Sequence, residues 1–271
     1  MQEAVVREYT KKRQINYFKI TLIGISFLMT ALLVVAIGAL FMVPDMADVW
    51  KSLKSEEMIY SLKLSLWTGL LSTALVALFA LPIGYTLSRF EFIGKGFVRT
   101  IVDLPVAFPE LVLGLCLLLL FGNTFVGKIF EAMGLNFVFT KQGIVAAQFF
   151  TALPYASRIM KSTFDYINPR MEFVSRSLGY SQFETFLYVS LPLARNGIIA
   201  STVIAFARCI GTFGTVLILA GGTYMKTEVL PMTLYLNISY GNMGMALTSG
   251  IVLVVVSFAA IYVFERTEVA L

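Results

Sequence analysis

Long apolar segments alternate with short polar ones along the 271 residues of the chain. A helix of about 20 apolar residues is enough to cross a bilayer. By that measure the pattern predicts six spans, at about residues 20–43, 60–88, 99–121, 141–164, 192–220 and 243–264. We therefore expect an all-α membrane protein with a single transmembrane domain over residues 20–264, between an N-terminal segment 1–19 and a C-terminal tail 265–271.

The first apolar segment follows a basic N-terminus, an arrangement that secretion signals share. The run from Ile20 to Val43 is longer than the ~7–15 residues of a signal core, and no small-residue cleavage site closes it. We expect this segment to be retained as the first span.

Composition supports a bilayer environment and argues against several chemistries. Hydrophobic residues make up 58% of the chain and charged residues 14%, whereas soluble domains are about 45–50% apolar. The sequence contains no histidine, and its two cysteines, Cys116 and Cys209, both lie in apolar segments. Disulfide scaffolds, Cys/His metal sites and histidine-based catalysis are therefore not expected.

The net charge of +5 indicates orientation in the membrane rather than a surface for nucleic acid. Basic residues of membrane proteins concentrate on the cytoplasmic side. With the N-terminus inside, fourteen lysines and arginines fall in inner segments, and five fall in outer ones. The outer five are Lys51, Lys54, Lys128, Lys141 and Lys226. The sequence therefore predicts that both termini are cytoplasmic and that no nucleic acid is a partner.

The longest polar interruption, residues 168–191, lies between the fourth and fifth spans, on the predicted cytoplasmic side. Met171, Val174 and Leu178 recur at helical spacing, and Glu172 and Arg176 are four residues apart in the favourable order for an ion pair. This segment predicts a short amphipathic helix with a water-side function. We call residues 168–191 the elbow.

A second helix is predicted in the same interruption. Gly179 suits the left-handed residue that ends a helix. The sequence from Ser181 to Glu184 fits a capping box that starts the next helix, with Phe183 among its apolar contacts. Pro192 is expected in the first turn of the fifth span, where its missing N–H has no intrahelical partner.

The elbow resembles the EAA loop of the permease subunits of binding-protein-dependent ABC importers. That loop has the pattern Glu-Ala-Ala, three residues, Gly, nine residues, then Ile-x-Leu-Pro. Gly179 lies ten residues before the sequence from Val189 to Pro192, which matches the second half, whereas Phe173 stands at the position of the glutamate. The resemblance implies that the elbow fits a cleft in an ATP-hydrolysing subunit. The coupling residues that it implies are Glu172, Arg176, Gly179, Tyr180, Phe183, Leu191 and Pro192.

The start of the third span is similar to a region of molybdate and sulfate permeases that contains Asp-Leu-Pro and a second proline. Here the residues are Asp103, Pro105 and Pro109, followed by Glu110. We expect Asp103 and the two prolines to be structural, with Asp103 capping the helix start or forming an ion pair. Glu110 either lines a cavity or pairs with a basic neighbour, because charge at that depth is costly.

The fifth span contains an arginine at a depth where charge is paired or functional. Arg208 lies sixteen residues after Pro192, about 24 Å along a helix. Gly211 and Gly214 thin the helix beside it, either for close packing or to let a solute pass, and Thr212 stands where the similar permeases have glutamate. By the same resemblance, Lys226 and Thr227 belong to an external gate.

Taken together, the resemblance implies a multi-pass permease subunit of a prokaryotic cell membrane. It implies a homodimer, two ABC ATPase subunits and an external solute-binding protein. Molybdate or tungstate is the expected solute, with sulfate or another small solute as the alternative. ATP and magnesium are expected on the partner ATPase, with no cofactor, metal or catalytic residue in this chain. The sequence Gly122 to Lys128 has the spacing of a phosphate-binding loop, but Ile129 replaces the Ser/Thr that would bind magnesium.

A carrier or channel that works alone is the competing class. It would need paired ionisable residues inside the membrane, and Asp103, Glu110 and Arg208 could supply them. The elbow distinguishes the two classes, because a self-sufficient carrier has little use for it.

Overall fold

The computed structural model describes residues 17–269, with side chains up to residue 262, and this range forms helices and turns without a strand. The prediction of an all-α protein is therefore confirmed for these residues, and most of the basic N-terminal segment lies outside them. The first seven helices are α1 (Tyr17–Met42), α2 (Met46–Leu53), α3 (Glu56–Arg89), α4 (Lys95–Asp103), α5 (Glu110–Asn123), α6 (Phe125–Ala132) and α7 (Lys141–Tyr166). The remaining ones are α8 (Pro169–Ser177), α9 (Gln182–Thr185), α10 (Leu191–Leu193), α11 (Arg195–Gly211), α12 (Gly214–Ala220), α13 (Leu230–Ser239) and α14 (Met243–Val269).

Helix α1 belongs to its own compact unit, which ends at Pro44. It is 26 residues long with a mean hydropathy of 2.6, and none of its side chains is buried in the protein. An apolar helix without a buried face is suited to lipid.

The second unit, residues 45–271, is organised around α3, which packs along α7 and α11. Small residues of α3 allow this close approach, because a Cβ on Gly84 would lie 2.8 Å from the backbone nitrogen of Lys161. The hydroxyl of Ser72 donates to the side-chain oxygen of Gln148 on α7, over 2.9 Å. The small residues of the second predicted span therefore serve packing within the chain.

The third predicted span, 99–121, is not one straight helix. The chain bends by 114° between Lys95–Val106 and Glu110–Asn123. Pro105 lies in a tight helical turn at Leu104–Val106, and Pro109 caps the start of α5. Two prolines four residues apart remove two N–H donors from the helical ladder, which explains the break.

The fifth predicted span, 192–220, is also divided. Pro192 does not lie in the first turn of the long helix but in α10, which continues the elbow, and the chain bends by 71° before α11 begins at Arg195. A second break at Thr212 and Phe213 separates α11 from α12. The sequence shows the prolines and glycines but not the angle that packing imposes on each break.

By length and hydropathy alone, three helices of the described range could cross a membrane: α1, α3 and the part of α14 from Met243 to Tyr262. The number rises to five if each bent pair forms one span. Helix α7 has the length of a span but is more polar. The six-span count and the orientation remain predictions.

Candidate functional site

The elbow has the two-helix form that the sequence predicts. The side chain of Asn168 caps α8 by accepting from the N–H of Arg170, and Gly179 adopts a φ of +97°, in the left-handed region. The hydroxyl of Ser181 accepts from the N–H of Glu184, whose carboxylate accepts from the N–H of Ser181. These two bonds form the predicted capping box. The hydroxyl of Ser181 and then its N–H favour the charged carboxylate and lower the pKa of Glu184.

The apolar face of the elbow has no cover within the described chain. Leu178 and Phe183 are 74% and 71% exposed, and Met171 and Val174 are more than half exposed. Tyr180 is also exposed, and its ring lies 6.3 Å from that of Tyr188. An uncovered apolar surface of this kind indicates a site for another protein.

The polar face of the elbow is the one that packs against the rest of the chain. The Arg89 guanidinium, at the end of α3, donates to Glu172 over 2.8 Å, and both side chains are 9% exposed. Glu172 also accepts from the hydroxyl of Ser190, over 2.8 Å. The expected pairing of Glu172 with Arg176 is therefore not formed, and Arg176 is exposed. Tertiary packing turns the carboxylate inward, where Arg89 meets it.

Further contacts hold the elbow at the ends of α3 and α7. Arg89 donates a second bond to the carbonyl of Ile167, where α7 ends, over 2.8 Å. On α3, the centre of the Tyr85 ring lies 5.1 Å from that of Phe164 on α7 and 4.7 Å from that of Phe186 in the elbow. The elbow is thus attached to two long helices through one arginine and one aromatic cluster. Of the other predicted coupling residues, Leu191 is half-buried and Pro192 is exposed.

Glu110 joins the breaks in the third and fifth predicted spans. Its carboxylate accepts from the backbone N–H groups of Phe213 and Gly214, at 3.3 and 2.9 Å. The expected pairing with a basic residue is not formed within the described range, since the carboxylate bonds to backbone, and the cavity-lining role stays a prediction. Free N–H groups at a helix start attract carboxylates, which explains the contact. A Cβ on Gly214 would lie 2.9 Å from the Cβ of Glu110, so this glycine serves close packing.

Arg208 lies against α7. Its guanidinium donates to the Tyr155 hydroxyl and lies 4.1 Å from the centre of that ring. Arg208 is exposed, and no carboxylate in the described range forms an ion pair with it. Thr212 is buried and donates to the Arg208 carbonyl over 2.7 Å, whereas Gly211 faces open space. A cation on an aromatic ring keeps its charge available to an anion.

Asp103 forms an ion pair, which is one of the two roles expected of it. Its carboxylate accepts from Arg158 over 2.7 Å and links α4 to α7. Asp103 ends α4 and directly precedes the helical turn Leu104–Val106, but its side chain makes no capping hydrogen bond there, so the ion pair is the role that is seen. Arg158 lies three residues after Tyr155 on α7, so both residues are on one side of the helix.

The predicted external gate is a loop, 221–229, with a buried interior. Thr227 is buried and accepts from the N–H of Thr223, whereas Lys226 is exposed, with its carbonyl bonded to the hydroxyl of Tyr60. Glu228 is fully buried, and its Oε1 has no hydrogen-bond partner. Burial raises the pKa of Glu228, the N–H of Met225 opposes that shift, and the carboxylate of Glu57 adds to it.

Sequence reasoning missed three of these residues: Arg89, Ser190 and Glu228. Arg89 ends a long apolar segment and looks like an ordinary inner-side charge. Glu228 had a usable signal, since an acid directly before the apolar residues Val229 and Leu230 is costly to bury unless it is protonated or paired.

Comparison with known proteins identifies the family. The family described as binding-protein-dependent transport system inner membrane component matches residues 78–267. The chain belongs to this family and is the membrane permease subunit of an ABC importer.

Individual relatives cover most of the chain. It is 32% identical over 223 residues to a molybdate/tungstate transport system permease protein of Pyrococcus furiosus, with 82% of each chain covered. It is 32% identical over 244 residues to the protein of the same description from Methanocaldococcus jannaschii, with 89% of this chain and 94% of the relative covered. A sulfate transport system permease protein of Escherichia coli is 28% identical over 193 residues, with 71% and 70% covered.

Solved structures share the fold. A chain of a bacterial alginate ABC transporter, in complex with its alginate-bound periplasmic protein, matches with a TM-score of 0.73 and 17% identity, covering 91% of this chain and 93% of that one. A chain of the inward-facing MetNI methionine ABC transporter matches with a TM-score of 0.57 and 19% identity, covering 80% and 98%.

Proposed function

We propose that this permease subunit imports a tetrahedral oxyanion, with molybdate or tungstate preferred and sulfate as the second candidate. The relatives of 32% identity support the first choice and those of 28% the second. Arg208 favours an anion over a cation, because no carboxylate of the described range pairs with it, whereas Asp103 balances the neighbouring Arg158. Glu110 does not oppose an anion, because two backbone N–H groups balance its charge.

The chain works with two ATPase subunits that bind the exposed apolar face of the elbow. The observation that supports this most directly is the division of the elbow into an uncovered apolar face and a buried polar face. A cleft on another protein can cover Leu178 and Phe183 without disturbing the Arg89–Glu172 pair. A carrier that works alone gives no reason to expose these side chains to water.

The translocation path runs along α7 and α11, where Tyr155, Arg158 and Arg208 are exposed or half-buried. Charged side chains are too costly to face lipid at this depth. A second copy of the chain covers this surface in a homodimer, with both termini and the elbow on the cytoplasmic side. The loop 221–229 then lies outside, where a solute-binding protein delivers the anion.

The experiment is ATP-driven uptake into proteoliposomes that contain the permease, its ATPase and its binding protein. Labelled tungstate should enter, with unlabelled molybdate competing at equal concentration and sulfate competing weakly. Efficient competition by sulfate would favour the second candidate. Uptake without ATPase subunits would contradict the importer mechanism itself.

A further inference from the structure

A cavity of about 410 Å³ lies between α4 and α7; it shares Arg158 with the proposed path but does not include Glu110, Arg208 or the elbow. Charged and hydroxyl side chains dominate its wall. The polar lining comprises Arg99, Asp103, Ser157, Arg158, Lys161, Ser162 and Asp165. A polar cavity beside the ends of membrane helices needs a polar occupant.

The charges around this cavity leave one cation without a partner. Arg158 is bound to Asp103 over 2.7 Å, and Lys161 is bound to Asp165 four residues along α7. Arg99 forms neither an ion pair nor a hydrogen bond with any residue of the described range. The lining therefore carries one net positive charge at pH 7.

Hydrogen-bond donors also exceed acceptors in the cavity. All five N–H groups of the Arg99 guanidinium are free, and Arg158 uses only its Nε toward Asp103. Each carboxylate already accepts from a cation. A ligand that offers only acceptor oxygens suits this lining, and a cation does not.

Ser157 gives an independent indication of a ligand. It is 2% exposed, lines the cavity, and its Oγ has no hydrogen-bond partner. On the same helix, the hydroxyls of Thr151 and Thr163 donate to the carbonyl four residues earlier. Ser157 does not use that option, so its buried hydroxyl keeps a hydrogen bond that a ligand oxygen at the cavity wall could accept.

We infer that this cavity binds a tetrahedral oxyanion, held by Arg99, Arg158 and the Ser157 hydroxyl. Arg158 would share the anion with Asp103, so occupancy weakens the link between α4 and α7 next to the break at Pro105. A tetrahedral oxyanion can reach this cavity from two sources. It is either the transported anion, after it leaves the path, or the phosphate of a lipid headgroup at the membrane surface. The first source rests on the proposed function, and the second does not.

The test uses the purified permease–ATPase complex in detergent, without binding protein. Thermal unfolding is measured against tungstate, with chloride at equal ionic strength as the reference. We expect a saturable rise in melting temperature for the wild type. Arg99→Gln and Ser157→Ala should each raise the apparent Kd about tenfold, because each removes a donor to a charged ligand.

Two features separate a ligand role from a structural one. Without tungstate, Ser157→Ala should be at least as stable as the wild type, since it removes an unpartnered buried hydroxyl. Arg195→Gln is the matched control, because Arg195 is exposed and lies outside the cavity. Its tungstate response should equal that of the wild type.

Native mass spectrometry of the same complexes distinguishes the sources. An anionic phospholipid that is retained by the wild type but lost from Arg99→Gln and Ser157→Ala, with no tungstate response, supports a headgroup site. A tungstate response that needs Arg99 and Ser157 supports the transported anion. Neither response, or responses that both variants keep, overturns the inference. Uptake assays are independent of this result, so a complex that transports tungstate but fails here refutes only the cavity site.

Discussion

The buried pair of Arg89 and Glu172 should be required to hold the elbow in place. The Glu172 side chain is only 9% exposed, and replacing Arg89 with methionine leaves the Ser190 hydroxyl as the one remaining side-chain partner of its carboxylate. Removing one partner of a buried pair costs about 3–5 kcal/mol, because the remaining charge is unpaired. The variant also loses the bond from Arg89 to the Ile167 carbonyl, which ends α7.

The combination of Arg89→Met with Glu172→Gln should be less damaging than the sum of the two single changes. The double variant leaves no uncompensated charge in the buried site, so a coupling of about 0.5–3 kcal/mol is expected. The measurement is denaturant unfolding of the four complexes in detergent, together with the ratio of anion transported to ATP hydrolysed. A displaced elbow should lower that ratio more than it lowers ATP hydrolysis.

Glu91→Gln serves as the matched control, because it breaks the pair with Lys95 just after α3. That pair is i,i+4 and its acid is 89% exposed, so its loss should cost about 0.2–1 kcal/mol. Strictly additive effects of the Arg89 and Glu172 changes, or an effect of Arg89→Met no larger than that of Glu91→Gln, would refute the reasoning.

Three further predictions concern separate parts of the chain. Gly179→Ala should destabilise the elbow by about 1–2 kcal/mol, because φ is +97°, and limited proteolysis should cut it faster than the wild type; equal rates would contradict this. The raised pKa of Glu228 means that the folded state holds the proton more tightly, so stability should fall as pH rises above the ordinary range of a glutamate; melting curves of Glu228→Gln should lack that fall, and an unchanged slope would show that another group titrates. Arg208→Ala should reduce uptake while copurification with the ATPase persists, and loss of assembly would make Arg208 structural.

Signals between neighbouring residues were enough to predict the two-helix form of the elbow. The left-handed glycine at 179 and the capping box from Ser181 to Glu184 depend on neighbouring residues, and both were predicted correctly. The ion-pair partners were not local. Glu172 has Arg176 one turn away, but it pairs with Arg89, which is 83 positions distant, because packing buries that face.

The breaks in the membrane helices also show that local sequence predicts a bend but not the contacts between distant residues. Pro105 and Pro109 predict an interruption, and the structure bends there by 114°. Nothing in either segment indicates that Glu110 then meets Gly214, since this contact requires two broken helices to lie side by side. The role of Glu110 therefore could not be derived from the sequence alone.

The most direct test of the central claim is binding of the ATPase to variants of the elbow's exposed face. Phe183→Asp places a charge at a side chain that is 71% exposed and makes few contacts within the chain, so the permease should still fold. Phe125→Asp is the control, because Phe125 is 77% exposed and lies on α6, outside the elbow. We predict that ATPase copurification in detergent falls at least tenfold for Phe183→Asp and is unchanged for Phe125→Asp. Full copurification with Phe183→Asp would contradict the claim that the ATPase binds this surface.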